Sequence, residues 1–222
     1  ANTVGAATVA ITDTADAATV AFQGNLTVGT AMTVAGQPYN VSITGGTNTI
    51  AGTTTFNNTG TLTLGDGGDT VAFTGGVVAT APSAINLNGT VSAAGTGVIT
   101  LGDGDTGVAV GGNSTVGGTS TGTISMGDAT LANGVTLIVG TGAAAQIDLD
   151  AITGTVGGAV SNLTINTAGV VTVAEAVGTD IGTVTITQSG GTTFASTVGA
   201  ATVAITDTAD AAAVAFQGNL TV

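Results

Sequence analysis

The sequence predicts an all-β fold: a β-solenoid (β-helix) of about twelve coils averaging ~19 residues, with three short strands per coil. Three observations lead there. A stretch near the start of the chain returns almost unchanged near its end. Pairs of apolar residues with one residue between them recur along the whole length. The composition suits narrow, glycine-cornered coils and no aromatic core.

The repeat comes first because it sets the organisation. Thr3–Val28 reads TVGAATVAITDTADAATVAFQGNLTV, and Thr197–Val222 differs from it only where Thr19 becomes Ala213, at an offset of 194 residues. The expected layout is a single continuous solenoid over 1–222. Residues 3–196 form one 194-residue tandem unit and residues 197–222 the start of the next. Near-identity of this kind points to recent tandem duplication and to a window of a longer repetitive protein.

Taken in order, the alternating segments are Val9/Ile11, Leu26/Val28, Val41/Ile43, Leu62/Leu64, Ile85/Leu87, Ile99/Leu101, Ile124/Met126, Ile147/Leu149, Leu163/Ile165, Val184/Ile186, Val203/Ile205 and Leu220/Val222. Period-two alternation with β-branched residues marks a half-buried strand. Val9 to Leu220 is 211 residues in eleven steps, which gives the mean of about 19 and about ten coils per unit. From Gly182 the run GTVTITQSGGTTFASTVGAA reads as one coil, with Val184/Ile186, Phe194 and Val198 separated by glycine corners. Counted from these anchors, Phe22, Phe56, Phe73, Phe194 and Phe216 all fall in the second strand of a turn and are expected on one interior face. Longer intervals around Asp66–Pro82, Asp103–Gly122, Asp128–Ala145 and Ala168–Gly182 read as surface loops. The best helical stretch, Val173–Val177, is too short to stand as a helix.

Composition supports this reading and excludes others. With 38 glycines, two prolines, five Phe and one Tyr, the interior must be built from Val, Ile, Leu and Ala, and the outer face from Thr. Mean hydropathy of +0.57 separates the chain from a disordered acidic tail. It holds 13 acids and no Lys, Arg or His, a formal charge of −13, so no side-chain ion pair can form. Nucleic-acid binding and attraction to an anionic membrane surface, which depend on Lys and Arg, are not expected. No run of 18 apolar residues occurs, and six aromatics are too few for the girdles of a membrane barrel, so no membrane insertion is expected. Without Cys, redox logic says nothing of the compartment.

The acids are the candidate chemistry. Gly65-Asp66-Gly67-Gly68-Asp69-Thr70 is echoed by Gly102-Asp103-Gly104-Asp105-Thr106. Each reads either as a tight turn closing a strand or as ligands for Ca²⁺, with Asp66, Asp69, Asp103 and Asp105 as the candidate metal residues. The pattern resembles half of the glycine- and aspartate-rich nonapeptide of RTX proteins, whose carboxylates and carbonyls hold Ca²⁺ between coils. Asp13 and Asp16, repeated as Asp207 and Asp210, read as Asx turns, with ligand function as the alternative. Asp148 and Asp150 flank Leu149 and are expected to point outward together. No His, Cys, Lys or Arg is present to serve as base, nucleophile or oxyanion holder, and no enzyme is expected.

The VTIT-, TTF- and VG-type coils resemble the repeat regions of large bacterial surface proteins: filamentous-haemagglutinin-like adhesins, autotransporter passenger domains and glycine/threonine-rich surface-layer proteins. The resemblance spans the chain and implies a secreted, elongated solenoid at the cell surface, without carrying over any functional residue. The expected role is a structural segment of an extracellular filament, sheath or surface layer that assembles with copies of itself. Its axial repeat would be ten coils, on the order of 48 Å. One alternative is the spacer of a giant adhesin whose binding head lies elsewhere. Another is an ice-binding array built on Thr183/Thr185/Thr187 and Thr61/Thr63.

Overall fold

The computed structural model describes residues 2–222, and within them every regular element is a β-strand in a parallel ladder. Each turn of the chain lays three strands on those of the turn before. The first ladder begins at Thr19–Phe22, which pairs with Asn40–Ile43, and ends at Leu220–Thr221. The second runs from Val4–Ala6 through Leu26–Val28 to Thr202–Ile205. The third runs from Thr8–Ile11 through Ala31–Val34 to Val214–Phe216. Several strands, such as Leu62–Phe73 and Ile85–Ala93, turn the corner between the first two ladders without a break, which joins those two into one 18-stranded sheet beside an 8-stranded one.

Alternation explains why these residues take this form. Within the strands most Ile, Leu and Val point inward and stack on their equivalents one turn away, with Val78 and Ile138 among the outward exceptions. Ile99/Leu101, Ile124/Met126 and Ile147/Leu149 are successive rungs of the third ladder, all buried. The residues between them, Thr100, Ser125 and Asp148, face out. Corners bring backbone against backbone. Gly65 sits at φ +78° with the Asn88 carbonyl where a Cβ would be, so only glycine fits there.

Polar side chains turned inward at the corners answer the backbone groups that the ladders leave over. Asn48, wholly buried, takes the Leu26 N–H on its Oδ1 at 3.0 Å and donates to the Thr70 carbonyl at 3.1 Å. The Tyr39 hydroxyl donates to the carbonyls of Ile11 and Ala35. Ser120 and Thr167 hand their hydroxyl protons to carbonyls one turn below. Apart from the Tyr39–Ala35 bond, which lies within one turn, each of these bonds ties one turn to the next, so the polar interior is a staple along the axis.

The solenoid is as expected, and its turns number ten among the described residues, against the expected twelve or so. Along the third ladder one residue per turn takes the same place: Ile11, Val34, Phe56, Ala79, Leu101, Met126, Leu149, Val173, Phe194 and Phe216. Nine steps cover 205 residues, about 23 per turn. The shorter spacing of ~19 arose because the anchors do not share a face. Val9/Ile11 lies in the third ladder, Leu26/Val28 in the second and Val41/Ile43 in the first. The phenylalanines correct the same assumption. Phe56, Phe194 and Phe216 share the third ladder, whereas Phe22 pairs with Ile43 in the first and Phe73 with Ile50 in the second. Phe194 and Phe216 stack with ring centroids 5.0 Å apart, and Phe56 meets Phe73 edge to face across the interior at 5.9 Å.

Candidate functional site: the acidic corners

In a chain without cationic side chains, every carboxylate must be met by water, by backbone N–H, by an uncharged side-chain donor or by a cation from solution. Asp66 and Asp69 stand at the corner between the first and second ladders. Leu64 pairs with Leu87 and Asp69 with Gly89, so Gly65–Gly68 bulges out opposite the single residue Asn88. Gly65, Gly67 and Gly68 all have positive φ, which lets the bulge fold back on itself. Asp69, mostly buried, takes the Asp66 N–H on Oδ2 at 2.7 Å. The two carboxyls lie against each other. The hydrogen bond with Asp69, then the Asp69 charge and then burial push the Asp66 carboxyl above its ordinary range.

Asp103 and Asp105 lie elsewhere, at the corner between the third and first ladders. Asp103 Oδ1 accepts the N–H groups of Asp105 at 3.0 Å and Thr106 at 2.9 Å, an Asx turn. The buried Thr106 hydroxyl anchors that turn to the Thr80 and Pro82 carbonyls below. Asp105 is exposed. The fold therefore brings Asp66 to Asp69, and Asp103 near Asp105 through backbone, but sets the two pairs on different corners.

What the corner of Asp103 does gather comes from other turns. Asp103, Asp128 and Asp150 follow Leu101, Met126 and Leu149, which are successive rungs of the third ladder. Asp128 Oδ1 takes the Ala151 N–H at 3.2 Å. Asp150 is pushed above the ordinary carboxylate range by burial first, then by Asp128 and Asp103. Asp148 faces out from the neighbouring strand, as expected beside an inward Leu149, and accepts the Gln146 amide on both oxygens. Asp103, Asp148 and Asp150 border an open groove of about 240 Å³ together with Thr100, Ser125 and Thr172. Sequence reading treated the Asp148/Asp150 pair alone and missed Asp128 as their neighbour. The signal was Leu101-Gly102-Asp103 returning as Met126-Gly127-Asp128 one turn later.

These oxygen donors are of the kind Ca²⁺ takes. Among the described residues no three acids stand close enough to hold a metal ion by themselves, so a cation here would be completed by carbonyls and water. The outward threonines do not form unbroken ranks: Thr185 lies between Thr164 and Ala204, and Thr63 between Ser42 and Asn86. In comparisons with known proteins, no family model, curated protein or solved structure matches this chain.

Proposed function

We propose that this chain is a structural segment of an extracellular filament, sheath or surface layer, without catalysis, whose partners are copies of itself. The observation that carries the reading is the union of two facts. Three parallel ladders run unbroken from the first strand to the last, and the sequence that builds them starts again after 194 residues. Such a rod gains stability turn by turn from nearest-neighbour interfaces, so tandem copies lengthen it and strengthen it together. Backbone hydrogen bonds lie along the axis, the direction in which a filament bears load.

Charge supports the same reading and adds a cation to it. At −13 with no bases, neighbouring rods repel unless something positive stands between them. Ca²⁺ shared between acidic corners, at Asp66 and Asp69 and along Asp103, Asp128 and Asp150, supplies it. Electron microscopy of the assembled material with and without a calcium chelator tests both parts. Continuous fibres or sheets that loosen on chelation are expected. Isolated rods each tipped by a separate head would make the segment a spacer, and fibres that persist in sodium alone would remove the Ca²⁺ part.

A further inference from the structure

The two copies of the repeated segment stand at opposite ends of the solenoid, and each shows what the other lacks. In the first copy Val9–Ile11, Val20–Phe22 and Leu26–Val28 are each overlaid by the next turn, namely by Met32–Val34, Val41–Ile43 and Asn48–Ile50. In the second copy the same residues, Val203–Ile205, Val214–Phe216 and Leu220–Val222, form the upper edge of the described residues and carry no further turn among them. Conversely, the second copy rests on Val184–Ile186 and Thr192–Phe194, whereas the first copy is the lower edge of the described residues. The pairing within the segment does not change: Val4 lies on Leu26 and Gly5 on Thr27, just as Val198 lies on Leu220 and Gly199 on Thr221.

The face does change. Val4 and Leu26 belong to the second ladder, Val198 and Leu220 to the first. Val9/Ile11 is in the third ladder and Val203/Ile205 in the second, while Val20/Phe22 is in the first and Val214/Phe216 in the third. One 194-residue unit therefore winds eight and two-thirds turns, not the ten whole coils expected. Its axial length is about 42 Å at ~4.8 Å per turn.

We infer that the upper edge Val203–Thr221 is a seat for a further coil of sequence Gly29–Ile50, contributed by another copy of the unit, and that each unit so joined is rotated one third of a turn from the one before. The seat's chemistry is already filled once in this molecule. Its apolar rungs meet Met32/Val34 and Val41/Ile43, and its Leu220 N–H meets the amide oxygen that Asn48 offers to Leu26. Three units return every residue to its starting face after 26 turns. The inference rests on reading the chain as a repeating structural rod.

The test extends the full chain by one further Gly29–Ile50 segment after Val222, the order in which Val28 and Gly29 already stand. The chain has no cysteine, so a pair can be placed cleanly: Ala215→Cys in the seat and cysteine at the appended counterpart of Ser42. Ala21 and Ser42 are paired rungs, so Ala21→Cys with Ser42→Cys in the unextended chain is the positive control. The expected result is an oxidised cross-link in both, with amide exchange across Val203–Leu220 slowed at least about tenfold by the extension. A cross-linked control beside an extension that stays reduced and leaves exchange unchanged would overturn the inference. Should the control itself fail to close, the exchange measurement decides alone. Fibres in the microscope without this joint would leave the structural reading standing and remove only the seat.

Discussion

Leu26 and Leu220 are the same residue of the same 26-residue sequence, yet Leu26 is wholly buried and Leu220 is 45% exposed. Ile11 and Ile205 differ the same way, 7% against 49%, while Val4 and Val198 reverse the order, 37% against 1%. Burial in this molecule is a property of the neighbouring turn and not of the segment. The corner at Ala17 teaches the opposite lesson. Ala17 and its copy Ala211 both adopt left-handed backbone, φ 60° and 63°, and each is followed by an N–H bonded to the carbonyl three residues back, Ala18 to Ala15 and Ala212 to Ala209. One corner is covered by a following turn and the other is not, but the corner is the same. Its conformation is written locally; its stability is lent by the stack.

Paired substitutions test that division most sharply. Leu26→Ala is expected to cost about 2–5 kcal/mol, the range for a filled core position, and Leu220→Ala less than about 1 kcal/mol. Val198→Ala should cost more than Val4→Ala, inverting the order of the copies. Equal losses in denaturant unfolding at Leu26 and Leu220 would mean that the turn above contributes nothing.

Asn48 gives the next effect. Asn48→Ala leaves the Leu26 N–H and the Thr70 carbonyl short of a partner inside the stack, and a loss of about 1–3 kcal/mol is expected. Amide exchange should quicken at Leu26 and stay as it was at Leu220.

Acidity acts in the middle of the rod, away from both copies. Asp66 and Asp150 have raised carboxyl pKa values, so the folded chain holds their protons more tightly than the unfolded chain does. Stability therefore increases as pH falls through the window between the ordinary and the raised values, and is lost as pH rises through it. Asp66 is exposed and Asp150 only partly buried, which keeps the effect small. Thermal unfolding across mildly acid pH should show the slope, and Asp66→Asn with Asp150→Asn should flatten it without altering either terminal copy.

The smallest effect is the most symmetrical. Ala17→Gly and Ala211→Gly each relieve about 1–2 kcal/mol of left-handed strain and add about 0.5–1 kcal/mol of chain entropy. A net gain within about 1 kcal/mol is expected, equal in the two copies. A gain confined to one of them would show that the stack imposes the corner.

The strands were legible in the sequence because Thr-flanked Val, Ile and Leu alternate wherever a ladder runs, and the corners because glycine marks them. The face was not legible. Val9, Leu26 and Val41 carry the same inward-outward pattern, since all three faces of a narrow solenoid ask for the same side chains. Only the pairing of each strand with its neighbour separates them. The acids divide likewise. The Asp66–Asp69 pair could be read from four consecutive residues, because the glycines between them allow the bulge. The company of Asp103, Asp128 and Asp150 depends on turn lengths, which vary between rungs, and so on a register that periodicity does not state.

A unit of eight and two-thirds turns also bears on how such a protein changes length. Near-identical repeats invite unequal recombination, which adds or drops whole units. Because the Val4–Leu26 pairing recurs as Val198–Leu220 on a different face, the ladder has no need of a whole number of turns at the splice. If units join at the seat inferred above, loss of one would turn the rest of the rod by a third and leave every rung paired. In an array joined through the seat inferred above, length would change by whole units without a strand losing its partner.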